Sequence, residues 1–174
     1  MTLISIDPGT STCGVVLWDI DDNDFSILGF DSLTITIDKS IYLETRINTI
    51  YKILKKIMVE YRPFQLVHES GFMDKFRPMA YGPIYATIYH VRQTYKELYR
   101  LGDDRGIFMY SPKYVKAMVN TGEADKVDMF DAVTNIDEIK PFLSNVESEH
   151  VIDAIAIGYT HIVHIRENPE LLLL

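Results

Sequence analysis

Ile4-Ser5-Ile6-Asp7-Pro8-Gly9-Thr10-Ser11-Thr12-Cys13-Gly14-Val15-Val16-Leu17 decides the fold. An apolar run, Leu3 to Ile6, ends on Asp7, Pro8-Gly9 turns the chain, and a second apolar run starts at Gly14. That pattern is a buried strand, a tight turn and an antiparallel return strand. An acid inside such a stretch is costly to bury unless it is paired or holds a cation. Gly9 and Gly14 leave room for close approach to the backbone.

Working outward, Asp21-Asp22-Asn23-Asp24 separates the return strand, Gly14–Ile20, from a third run, Phe25 to Thr36. The acidic turn lacks the glycine and the closing glutamate of a calcium loop, so it reads as a solvated hairpin turn. Ser40 to Tyr61 then reads as a helix, because Leu43, Ile47, Ile50, Leu54, Ile57 and Tyr61 recur at steps of three and four. Arg46, Lys52, Lys55 and Lys56 fall largely off that face and are expected to be solvated. Pro63 stops the helix.

Gln65-Leu66-Val67-His68-Glu69 is a short strand that again ends on an acid. A helix leading into it makes a crossover, hence parallel pairing with the first strand. The following segment, Ser70 to Pro78, mixes Phe72 with Lys75, Arg77 and Gly71, as a nucleic-acid-facing loop does. Phe72 either stacks on a base or packs on the core. Ala80 to Leu101 is a second helix, with Ile84, Ile88, Val91, Tyr95 and Leu98 inward; its many tyrosines suit core and subunit interface. Gly106–Tyr110 is a fifth strand.

Ser111-Pro112 starts a third helix, which Thr121-Gly122 ends. Ala124 to Ile136 is a fourth, with Val127, Phe130 and Val133 expected inward. Lys126 stands at its start, where the helix dipole opposes a cation, and this suggests a functional reason. After a loop over 137–148, the last helix begins near Glu149. His150 and Asp153 are three apart, Glu149 and Asp153 four apart, so all share a side. Around them the helix is apolar, and Asp153 must lie against the core. His161 and His164 read as structural or exposed. The expected fold class is α/β: a mixed five-stranded sheet, three antiparallel strands and then parallel ones, flanked by helices.

Composition bounds the rest. The 174 residues suit one domain, 1–174, with its own core. No run of about 18 apolar residues exists to span a membrane, and the N-terminus does not read as a secretory signal. Cys13 has no internal partner, which fits a reducing cytoplasm. The formal net charge of −8 weighs against nucleic acid, although a local basic patch can coexist with it.

Asp7, Glu69 and Asp153 each interrupt an apolar element, with His150 beside the last. Oxygen ligands with at most one imidazole suit Mg²⁺ or Mn²⁺ rather than zinc or haem. Two such ions can clamp the attacking and leaving oxygens of a phosphodiester. The same carboxylates could instead be unrelated charges paired to lysines.

The order of elements and acids resembles a ribonuclease H-like fold, and more closely the RuvC-type Holliday junction resolvases. Ile6-Asp7-Pro8-Gly9-Thr10 with Gly14 is similar to that family's opening motif, and Glu69 with Phe72 to its second. Pro112-x-x-Val115-Lys116, Gly122 and Lys126 resemble its lysine-bearing region. His150-x-x-Asp153-Ala154-Ile155-Ala156 resembles its last, acidic motif. Divergence elsewhere looks like a phage or viral branch, which would work in the host cell cytoplasm. Two departures stand out: the last motif often opens on Asp where this chain has His150, making Glu149 a rival ligand, and the loop after Glu69 differs.

The resemblance implies a homodimeric endonuclease that resolves four-way DNA junctions by paired symmetric nicks, leaving 3′-hydroxyl and 5′-phosphate ends. It implies two metal ions on Asp7, Glu69, His150 and Asp153, with Lys116 and Lys126 steadying the scissile phosphate. Phe72, Lys75, Arg77, Lys113, Lys116 and Lys126 would contact DNA. Sugar kinases and ATPases of the actin type share an Asp-x-Gly-Thr turn, but need two such domains, more than 174 residues hold. A related nuclease for RNA or other branched DNA, and a non-catalytic junction-binding protein, remain the alternatives.

Overall fold

A computed structural model describes residues 1–70, 81–143, 146 and 148–173. The strands are β1 (Thr2–Asp7), β2 (Thr12–Ile20), β3 (Ile27–Thr36), β4 (Gln65–Glu69) and β5 (Ile107–Tyr110). The helices are α1 (Leu43–Tyr61), α2 (Tyr81–Tyr99), α3 (Pro112–Val119), α4 (Lys126–Thr134) and α5 (Glu149–Glu167), with 3-10 turns at Lys140–Phe142 and Pro169–Leu173. The sheet order is β3-β2-β1-β4-β5. β1, β2 and β3 pair antiparallel, whereas β4 joins β1, and β5 joins β4, in parallel. The expected mixed sheet of a ribonuclease H-like fold is therefore present.

Side chains alternate across a strand, so the central β1 feeds two cores. Leu3 packs with Trp18, Val67 and the apolar side of α5 on one face. Ile4 and Ile6 pack with Leu66 and with Ile50, Leu54, Ile57 and Met58 of α1 on the other, where Val91 and Tyr95 of α2 join them. Asp7 follows the odd-numbered residues of β1 towards α5, as Glu69 follows Val67. Ile6 is the parallel partner of His68, so the two acids end neighbouring strands side by side.

α5 lies flush on this sheet face because of two contacts. Gly158 meets Trp18, where an added Cβ would come within 2.2 Å of the indole nitrogen. Trp18 Nε1 donates to Ser5 Oγ at 2.9 Å, and Ser5 Oγ donates to the Ala154 carbonyl at 2.7 Å. This buried polar chain ties β2, β1 and α5 together and sets the helix's height above the strands. His161 is fully buried, between Tyr110 Oη at 2.8 Å and Gln65 Oε1 at 2.9 Å. The structural reading of that histidine holds.

Three local expectations need correction. α1 starts at Leu43, not Ser40, because Asp38 accepts from the Ser40 amide at 2.8 Å and holds a turn there. α4 starts at Lys126, not Ala124, since Asp125 caps it in a reciprocal box with Asp128. Its inward face is Met129 and Val133, while Val127 and Phe130 point out, 68% and 43% exposed. Steps of three and of four both fit a nine-residue helix, and packing selected the other phase. Among the described residues, no helix is long and apolar enough to cross a membrane.

Candidate active site

The site forms where β1 and β4 end beneath the first turn of α5. Gly14 is the antiparallel partner of Asp7. A Cβ on Gly14 would sit 1.9 Å from the His150 carbonyl oxygen, so only glycine lets the helix start this close to the strand. That approach brings His150 Nδ1 to 2.7 Å from Asp7 Oδ2, across 143 residues of sequence. Asp7 is almost fully buried and His150 is one-third exposed.

Asp153, one turn along α5, and Glu69 complete the acidic group. Glu69 has its carboxyl raised to about 8, first by burial, then by the charges of Asp7 and Asp153, with Lys116 opposing. Asp153 is raised to about 6 by burial and by Asp7, with His150 and Lys126 opposing. The His150 imidazole is raised, chiefly by its hydrogen bond to Asp7. The acids expected together from sequence thus feel one another as a single electrostatic unit.

Among the described residues, no three His, Cys, Asp or Glu side chains converge as tightly as the ligands of an ion do. The donor chemistry nonetheless suits a hard divalent cation, being three carboxylates and one imidazole. Crowded anions that resist ionisation are what a cation placed among them relieves. The Asp7–His150 hydrogen bond uses Nδ1 and Oδ2 and leaves His150 Nε2 and Asp7 Oδ1 as the donors for a cation. Glu149 turns elsewhere: its Oε2 pairs with Lys126 Nζ at 2.6 Å, and its Oε1 is 3.9 Å from His150 Nε2. Of the two rivals on α5, His150 is the one in contact with Asp7.

The lysines take distinct places. Lys116 Nζ donates to the Ala124 carbonyl at 2.6 Å, bracing α3 against the entry to α4, and still acts on Glu69 through space. Lys126 is largely exposed at the mouth of the site. Lys113 is exposed and paired with Glu123 at 3.2 Å. Phe72, Lys75 and Arg77 lie outside the described residues. Beside Asp153 a cleft of about 260 Å³ is lined by Lys126, Val127, Phe130, Glu149 and Ile152. The outward Val127 and Phe130 form its apolar wall, a feature hidden from sequence by the phase of α4. Arg46, expected in solvent, is half-buried and donates from Nη1 to Ser11 Oγ at 2.5 Å.

An acid ends the central strand, a second ends its parallel neighbour, and a third stands with an imidazole on the helix laid across them, all on the mixed five-stranded sheet of a ribonuclease H-like fold. The family model described as crossover junction endodeoxyribonuclease RuvC matches residues 3–161. The chain belongs to the RuvC family. It is 31% identical over 166 residues to the crossover junction endodeoxyribonuclease RuvC of Caldanaerobacter subterraneus subsp. tengcongensis, covering 92% of each chain. The RuvC of Finegoldia magna is 29% identical over 163 residues, covering 93% of each. Among solved structures, Thermus thermophilus RuvC in complex with a Holliday junction substrate superposes with a TM-score of 0.72 at 17% identity, over 97% of each chain. The Fowlpox virus resolvase in complex with junction DNA gives 0.59 at 12% identity, over 95% of this chain and 99% of that one. These two establish shared architecture.

Proposed function

We propose that residues 1–174 act as one nuclease domain that resolves four-way DNA junctions with divalent metal, nicking paired strands symmetrically. The observation that carries this reading is the Asp7–His150 contact, set beside two carboxyls raised first by burial and then by the charge of Asp7. Asp7, Glu69, His150 and Asp153 would hold Mg²⁺ or Mn²⁺, two ions per site. When bound, the ions polarise the scissile phosphate and ease deprotonation of a water.

The chain's own residues do the rest. Burial of Asp7 under α5 keeps bulk water from diluting its charge. Lys126 exchanges Glu149 for a phosphate oxygen, and Lys116, fixed by the Ala124 carbonyl, offsets charge beside Glu69. Hydrolysis in line leaves a 3′-hydroxyl and a 5′-phosphate. The protein works in the cytoplasm as a homodimer, whose two-fold symmetry matches two strands of a junction; Tyr85 and Tyr89, half-exposed on α2, offer an apolar face. With a net charge of −8, DNA is held by a confined patch, and binding is steeply salt-dependent.

Product ends test this chemistry. Nicked junctions from reactions with Mg²⁺, with Mn²⁺ and with chelator are offered to DNA ligase. Resealing of metal-dependent nicks is expected. Nicks that form in chelator, or that ligase cannot seal, overturn the mechanism.

A further inference from the structure

Arg46 stands one turn inside α1, on the sheet face opposite α5, and reaches over the turn that follows Asp7. Its Nη1 is held by Ser11 Oγ at 2.5 Å, and Ser11 is buried, its carbonyl bonded to the Ile37 amide at 2.8 Å. Arg46 Nε is buried and has no hydrogen-bond partner. Among the described residues, every other half-buried lysine or arginine is neutralised or spent on a carbonyl. Arg92 and Lys96 pair with Asp104, Arg166 with Glu138, and Lys116 bonds Ala124. Arg46 alone in that group faces only a neutral hydroxyl. Asp38 feels its charge, but bonds the Ser40 amide and makes no ion pair with it.

Among the described residues Arg46 has no anionic acceptor, and with Nε shielded inside the protein the end-on edge of Nη1 and Nη2 is the part of the planar fork left for phosphate oxygens. Lys116 acts on Glu69 and Lys126 on Asp153, on the α5 side of the sheet. Arg46 and Ser11 flank Asp7 on the α1 side, at the same end of the sheet. We infer that Arg46, pre-oriented by Ser11, grips a backbone phosphate of the branched DNA, on the far side of Asp7 from the two lysines. This rests on the junction reading above and adds to it a second anchor for the strand being cut. As a positioning residue, Arg46 fixes where the strand crosses the site.

The test is binding of a labelled four-way junction, and of a linear duplex, in chelator across a salt series. The proteins are wild type, Arg46→Gln, Arg46→Lys and Ser11→Ala. Arg46→Gln should bind several-fold more weakly and flatten the log affinity against log salt slope by about one. Arg46→Lys should restore the slope while staying weaker, because a point charge replaces the fork. Ser11→Ala should keep the wild-type slope, since the cation remains. An unchanged slope in Arg46→Gln overturns the inference. So does a Ser11→Ala variant that matches Arg46→Gln in slope and in melting temperature, because Arg46 is then only a strut. Wild type that shows no preference for the junction over duplex overturns the junction reading instead, and leaves the slope comparison on duplex intact.

Discussion

His150 Nδ1 and Asp7 Oδ2 lie 2.7 Å apart, and the contact exists because Gly14 lets the first turn of α5 rest on β2. Replacing Gly14 with alanine puts a methyl group 1.9 Å from the His150 carbonyl oxygen, against backbone that cannot rotate away. The helix start must lift. Gly14→Ala is expected to lower stability by about 1–3 kcal/mol in denaturant melts. Because His150 and Asp153 move with that turn, nicking should fall further than the stability loss explains.

The buried Trp18–Ser5–Ala154 chain supports the same helix one turn on. Ser5→Ala leaves the indole N–H unmet in a dry core, at a cost of about 1–3 kcal/mol. Trp18→Phe removes that donor. A double-mutant cycle should therefore give a double variant less destabilised than the two single losses added together. Strict additivity would mean that the hydrogen bond contributes nothing.

Glu69 and Asp153 set a pH dependence. Their folded carboxyls, at about 8 and about 6, lie above the ordinary carboxylate range near 4 that holds in the unfolded chain. The folded state therefore binds more protons than the unfolded state across this window. Stability from these groups is full below about pH 4 and is lost as pH rises through about 6 and then about 8. In chelator, the melting temperature should fall over that range by more than in a Glu69→Gln variant. Adding Mg²⁺ or Mn²⁺ should remove most of the fall at the alkaline end, since a cation favours the ionised carboxylates. Parallel melting curves for wild type and Glu69→Gln at every pH would contradict this.

Lys126 and Glu149 form an exposed pair at 2.6 Å. Such pairs contribute little to stability, so Glu149→Gln should change unfolding free energy by no more than about 0.5 kcal/mol. Removing that carboxylate frees Lys126 and deletes a negative charge facing DNA. Junction affinity is expected to rise several-fold at low salt, with the gain shrinking as salt is added. A loss of affinity would mean that Glu149 itself holds a metal ion.

Much of this architecture was legible in the chain. β1 and β4 declared themselves as apolar runs ending on Asp7 and Glu69, and the nearly unbroken apolar run after Glu149 marked α5 as the central buried helix. Local pattern could bring the acids to strand ends, and His150 beside Asp153. It could not show that His150 rather than Glu149 turns towards Asp7, because that choice is made by contacts across 143 residues. The phase of α4 is hidden from the sequence for the same reason, since Val127 and Phe130 have a core-like spacing while Met129 and Val133 fill the space. Arg46 looked like one more charge on the solvent side of a helix. Only the fold places Ser11 beneath it.

The most direct test of the central claim is cleavage of a labelled four-way junction with Mg²⁺ or Mn²⁺, beside a linear duplex and a flap. Wild type and Asp7→Asn are compared, and binding is followed in the same samples. Paired symmetric nicks on the junction alone are expected. Asp7→Asn should lose at least ~100-fold of the cutting, the upper end of what removing even an outer partner of a metal ligand costs, with binding retained. Cutting that survives in Asp7→Asn, or no cutting of any substrate by wild type with either metal, would overturn the metal-dependent resolvase mechanism.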